Sequence, residues 1–158
     1  MRVKPLKNTV NNKYNNCNYN IIRSNGTELI QSDKLPQDEV FHGFSTRNGG
    51  VSREPYASLN LGLSRDEPKE NILRNFRILC DAFGLDFEKL VIVNHEHGSN
   101  VIRVDSSHCG RGLYREPLPF CDGLITDDQN VVLVTAHADC GAVFLYDKKR
   151  RSIGLAHA

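Results

Sequence analysis

The chain has 158 residues, 39% hydrophobic and 25% charged, with a formal net charge of +1. That length suffices for one domain with a buried core, and the near-neutral balance gives no global pull toward nucleic acid or membrane. No apolar stretch approaches the ~18 residues needed to span a bilayer, and no signal-peptide run follows the basic start. The five cysteines, 17, 80, 109, 121 and 140, are odd in number and scattered, which predicts free thiols in a reducing, cytoplasmic setting.

Residues 1–19 are rich in Asn and Lys and poor in apolar side chains, so they are expected to form a flexible extension, with the domain over residues 20–158. Two β-rich runs, 19–23 and 27–31, flank Ser24-Asn25-Gly26, a strong hairpin signal because both turn positions need positive φ. Residues 32–39 predict a polar loop, 40–46 a strand, and 52–63 a loop. Ile72, Leu73, Phe76, Leu79, Cys80 and Phe83 recur at helical steps and form one apolar stripe that includes Cys80. Ser64 with Glu67 fits a capping box, Asp66 is a rival cap, Pro68 suits the first turn, and Gly84 suits the position just past the end. Short β-rich runs follow at 90–94, 101–104, 123–126, 131–136, 142–146 and 152–156. Lys148-Lys149-Arg150-Arg151 lies between two of them and is expected to be a solvated hairpin tip. One long helix among many strands predicts an α+β domain built from meanders more than from regular βαβ units.

His97, Cys140 and His157 are candidate metal ligands. Two imidazoles and a thiolate suit zinc, and three protein ligands leave a fourth position open. Their separation is far wider than in a zinc finger. Each follows a predicted strand, however, so all three could gather at one sheet edge. His95 and His137 remain open as further ligands, and Asp139 and His95 as partners that orient the ligands. The segment Ser45-Thr46-Arg47-Asn48-Gly49-Gly50-Val51-Ser52 offers a second feature. Arg47 presents a planar fork for phosphate or carboxylate, and the glycine pair lets backbone N–H groups approach an anion. An exposed surface turn explains the same residues.

Phe44-Ser45-Thr46-Arg47-Asn48-Gly49-Gly50-Val51-Ser52 and Pro55-Tyr56-Ala57-Ser58-Leu59-Asn60-Leu61-Gly62 closely resemble the laccase-domain, YfiH-type family. Its members carry the names polyphenol oxidase and purine nucleoside phosphorylase. The resemblance continues through His97-Gly98, Asp122-Gly123-Leu124-Ile125-Thr126, Ala138-Asp139-Cys140 and Ala156-His157-Ala158. It implies an α/β sandwich with mixed β-sheets and zinc ligands at His97, Cys140 and His157. It also implies phosphorolysis of purine nucleosides and methylthioadenosine, with deamination of adenosine. Ser45, Arg47 and Asn60 fall at positions expected to line the nucleoside or phosphate pocket. The family's Gln-Val-His-Gly reads His95-Glu96-His97-Gly98 here, and family members continue from His-Ala into Gly-Trp-Arg-Gly. The C-terminal part is therefore expected to be missing, open sheet edges to promote self-association, and His157 to fray.

Two reactions fit one metal site. Deamination uses a metal to activate water, with Asp139 and Glu96 as proton-shuttle candidates. Phosphorolysis needs an anion held beside the ribose, which suits Arg47 with the Gly49 and Gly50 backbone. A multicopper relay needs many imidazoles, and the chain has six histidines. A single copper ion would still fit the ligand set, because affinity generally favours copper over zinc. The alternatives are a Cys–His hydrolase with Cys140 as nucleophile and His157 or His137 as base, and an inactive remnant.

Overall fold

The computed structural model describes residues 9–10, 18–63 and 66–158. The chain divides into two units, Met1–Leu85 and Asp86–Ala158. The first holds β1 (Thr9–Val10), β2 (Tyr19–Ser24), β3 (Thr27–Ser32) and β4 (Phe44–Ser45), an antiparallel sheet in the order β1-β2-β3-β4. The expected hairpin is present: Asn25 and Gly26 sit at φ 49 and 81, as a two-residue turn requires. In β3, Thr27, Leu29 and Gln31 are buried and their neighbours less so, the period of a half-buried strand. Most of the expected extension lies outside the described residues, but Thr9 and Val10 within it pair with Ile22 and Ile21.

The strand expected over residues 40–46 shrinks to Phe44–Ser45. Just before it, the buried His42 is tied to β3 by other bonds. Gln31 Nε2 donates to His42 O at 2.6 Å, and His42 Nε2 lies 3.1 Å from Ser32 O. The helix α1 (Lys69–Phe83) buries Ile72, Phe76, Cys80 and Phe83 on its predicted stripe. Its last turn, with Ala82 and Phe83, forms a core with Ile22 of β2 and Leu29 of β3. Gly84 closes the helix in the left-handed conformation, at φ 67. The N-terminus differs from expectation. Pro68 occupies the cap position without a side-chain bond, and Glu67 instead accepts Asn60 Nδ2 at 2.6 Å. The Ser64 half of the expected capping box lies outside the described residues.

The second unit contains β5 (Leu90–Ile92), β6 (Val101–Arg103), β7 (Gly123–Thr126), β8 (Val132–Val134), β9 (Ala142–Asp147) and β10 (Ser152–His157). Four of these form a mixed sheet in the order β6-β7-β10-β9, and β5 pairs with β8. β7, β10 and β9 are antiparallel neighbours, whereas β5–β8 and β6–β7 are parallel. The α+β class with mixed sheets is as the sequence implies. The meander expectation holds for the β9–β10 hairpin and fails for the two parallel pairs: residues 104–122 join β6 to β7, and the chain from β5 to β8 passes through both of those strands. Val91, Val93, Val104, Leu118, Cys121, Leu124 and Val131 form the core. Lys148 to Arg151 form the exposed β9–β10 turn, held by Lys149 and Arg150 N–H bonds to Asp147 Oδ1 at 2.9 and 3.0 Å. Among the described residues, no helix is long and apolar enough to cross a membrane, and Cys109, Cys121 and Cys140 are free thiols.

Candidate metal centre

Strand register in the second unit brings the distant candidate ligands together. Ala156 of β10 pairs with Gly123 of β7, so the next residue, His157, lies beside Asp122 and donates its N–H to Asp122 O at 2.8 Å. On the other side His157 pairs with Ala142 of β9, which places Cys140, two residues earlier, at the same end of the sheet. Gly141 and Ala158 exchange two N–H···O bonds of 2.7 and 2.9 Å. His157, expected to fray, is held by backbone bonds on both sides. Its side chain is 9% exposed.

His97 reaches this end from the segment between β5 and β6. Its backbone is left-handed, at φ 61, a conformation that is costly outside glycine and tends to occur at functional sites. The turn aims two successive N–H groups at one carboxylate: His97 N donates to Asp122 Oδ1 at 3.0 Å and Gly98 N to Oδ2 at 2.6 Å. Ligand atoms of His97, Cys140 and His157 then lie within 4.8 Å of one another. Two ring nitrogens and a thiol sulfur at that spacing fit a zinc-type ion, and their chemistry also admits copper.

Four of the six histidines crowd this end. The His157 ring centroid is 4.4 Å from that of His95, 5.0 Å from His97 and 5.3 Å from His137. Burial, and then the proximity of His157, hold His95 and His137 below the ordinary imidazole range, with Asp122 opposing the shift at His95. Asp122 is buried, at 4% exposure. Burial opposes its ionisation, but N–H bonds from Gly98, His97 and Glu96 outweigh it and keep the carboxyl below its usual range. Asp122 Oδ1 faces Nδ1 of both His95 and His157, at 3.6 and 3.5 Å. Asp139 is exposed and lies beside the thiol, with Cys140 Sγ 3.9 Å from its Oδ1. Glu96 is exposed and accepts Asn100 Nδ2 at 2.8 Å.

The other singled-out residues belong to the first unit. Ser45 lies on β4 opposite Leu29. Arg47 is exposed and spends Nε and Nη2 on Ala57 O. Gly50 N donates to Ser58 Oγ at 3.3 Å and Val51 N to Asn75 Oδ1 at 2.8 Å. A Cβ on Gly50 would meet Ser58 O at 2.1 Å, so close backbone approach requires glycine there. Asn60 bonds Glu67 through Nδ2 and accepts Gly62 N at 3.0 Å. Asn75, fully buried on α1, donates to Ser52 Oγ and Asn60 O, both at 2.8 Å.

The sequence places Asp122 in a motif of the resembled family, but sequence reading assigns neither Asp122 nor Asn75 a role in the site. The available signals were an aspartate just before the apolar run Gly123-Leu124-Ile125, and a polar residue inside the helix's apolar stripe.

Fold and site together define an α+β protein with a metal-type His/Cys cluster at one end of a mixed sheet. A family model described as multi-copper polyphenol oxidoreductase laccase matches residues 41–158, and the chain belongs to that family. It is 36% identical over 122 residues to the purine nucleoside phosphorylase YlmD of Bacillus subtilis, covering 76% of this chain and 44% of that protein. It is 32% identical over 136 residues to the mouse purine nucleoside phosphorylase LACC1, covering 84% of this chain and 30% of the relative. The crystal structure of YlmD from Geobacillus stearothermophilus superimposes with a TM-score of 0.81 at 29% identity, covering 87% of this chain and 51% of that one. Bacillus licheniformis YfiH gives 0.77 at 31% identity, over 85% and 50%. The chain spans less than half the length of these curated relatives.

Proposed function

We propose that this chain carries the metal centre of a purine nucleoside phosphorylase, with zinc held by His97, Cys140 and His157. Phosphorolysis of purine nucleosides and of methylthioadenosine, and deamination of adenosine, are the activities assigned to it. The observation that carries the reading is the convergence of two imidazoles and a thiol within 4.8 Å, in a chain 36% identical to a purine nucleoside phosphorylase. Bound there, zinc supplies Lewis acidity. The chain's own residues do the rest. Asp122 positions His157 through its backbone oxygen, which accepts the His157 N–H at 2.8 Å. Arg47 is assigned to phosphate, since a guanidinium has five N–H donors and two of its nitrogens are engaged with Ala57 O. In phosphorolysis the phosphate oxygen bonds to ribose C1′ as the C1′–N9 bond breaks, releasing purine and ribose 1-phosphate. Deamination replaces the 6-amino group with oxygen from water and releases ammonia. Asp139 and Glu96 are the proposed proton carriers. The free thiols accord with a reducing, cytoplasmic setting. Association of copies is assigned to the sheet edges at β6 and β9.

The test incubates the purified chain with adenosine and phosphate, with products read by mass spectrometry beside metal analysis. About one zinc per chain is expected, with adenine and ribose 1-phosphate from phosphorolysis and inosine from deamination; Cys140→Ala should lower both zinc affinity and turnover. Zinc-loaded protein that forms neither product refutes the activity. Metal-free protein whose Cys140 is rapidly alkylated by iodoacetamide supports the Cys–His hydrolase instead. Copper-dependent oxygen consumption with a diphenol supports the oxidase.

A further inference from the structure

The imidazole-rich end of the sheet has a second set of donors beyond His97 and Cys140. One ligand atom each from His95, Asp122 and His157 lies within 4.8 Å of the other two. The individual distances are informative. Asp122 Oδ1 is 3.6 Å from His95 Nδ1 and 3.5 Å from His157 Nδ1. Both exceed the ~2.7–3.2 Å of a hydrogen bond to nitrogen. Both match the roughly 3.3–3.6 Å edge of a tetrahedron whose ligands stand ~2.0–2.2 Å from a central ion. His95 Nδ1 is buried and has no hydrogen-bond partner among the described residues. The carboxylate is preset for an ion, because the His97 and Gly98 N–H groups fix both of its oxygens in place.

We propose that His95, Asp122 and His157 form a second metal seat, taking a divalent first-row transition ion through nitrogen and oxygen with no sulfur ligand. It shares His157 with the zinc set proposed above and to that extent rests on it. Two nitrogens and a carboxylate make a harder donor set than two nitrogens and a thiolate, so the two seats differ in the ions they prefer. Filling the seat costs one contact. Ala136 N–H points at His95 Nε2 at 3.4 Å, and ligation through Nδ1 places the ring proton on Nε2. At 3.4 Å that contact is long and weak.

Cobalt(II) distinguishes the seats, because a thiolate ligand adds a near-ultraviolet charge-transfer band that nitrogen and oxygen ligands lack. Cobalt titrations would be run on the 158-residue wild type, Cys140→Ala, and the double variants Cys140→Ala/His95→Gln and Cys140→Ala/His97→Gln, each checked for folding by circular dichroism. The expected result is a thiolate band in the wild type. Cys140→Ala should still bind about one equivalent without that band. Adding His95→Gln should weaken the residual binding at least tenfold, and adding His97→Gln should change it less than threefold. The seat is overturned if Cys140→Ala binds no cobalt, or if His97→Gln removes the residual binding while His95→Gln spares it. A wild type with the thiolate band beside an empty Cys140→Ala protein rejects the second seat alone, and a wild type that binds no cobalt rejects both. If the His95→Gln double variant is unfolded, Cys140→Ala/Asp122→Asn replaces it with the same expected loss.

Discussion

Asn75→Ala should loosen the segment that carries Arg47. The Asn75 side chain is fully buried and makes three bonds of 2.8 Å: it accepts Val51 N–H and donates to Ser52 Oγ and Asn60 O. Each buried bond contributes about 0.5–1.5 kcal/mol net, and an orphaned buried donor costs about 1–3 kcal/mol. Truncation leaves Val51 N–H without its acceptor, so a total near 3 kcal/mol is expected. For a chain of this size that is a fall of roughly 6–12 °C in Tm, at about 2–4 °C per kcal/mol. The effect should spread along the loop, because Ser58 N and Leu59 N both donate to Arg47 O. Urea and thermal melts measure the stability loss, and hydrogen exchange at the Val51 amide measures the local opening. Asn75→Asp keeps the acceptor for Val51 but loses both donors and buries a charge, so it should cost at least as much at neutral pH. A loss under about 0.5 kcal/mol in Asn75→Ala, with Val51 exchange unchanged, would refute the assignment of Asn75 as the anchor of this loop.

Glu28 is held below its ordinary value of 4.5 by the Arg23 and Asn48 bonds, against burial. The folded state therefore favours its ionised form. The stabilisation is complete above pH 4.5 and lost as pH falls through the lowered folded value. The Glu28→Gln melt should be below that of the wild type at pH 7 and converge with it at low pH; a difference unchanged by acid would contradict this. Leu124 is wholly buried in the core of the second unit, two residues after Asp122, and Leu124→Ala should cost about 2–5 kcal/mol. Zinc affinity should fall with it, because β7 positions Asp122. A chemical melt beside a competitive zinc titration checks both effects, and full stability in the variant would exclude Leu124 from the core.

Local signals identified the elements whose cause is local. The Asn25-Gly26 turn and the α1 stripe could be read from the chain because each depends on residues a few positions apart. Strand direction could not: nothing within residues 90–92 or 101–103 states that their partners run parallel. The shortened β4 depends on Gln31 and His42 bonding across the loop that joins two strands, beyond the reach of any local pattern.

The ligand types were also visible in the chain, since a thiol and imidazoles bind the same class of ion wherever they stand. Their meeting was a tertiary event. It depends on β10 pairing with β7 and β9 at once, which sets His157 between Asp122 and Cys140, and on the left-handed turn at His97. The role of the carboxylate that organises the cluster, Asp122, was hidden for the same reason. Its partners are 24 to 35 residues away in sequence, and only strand register brings them within bonding distance.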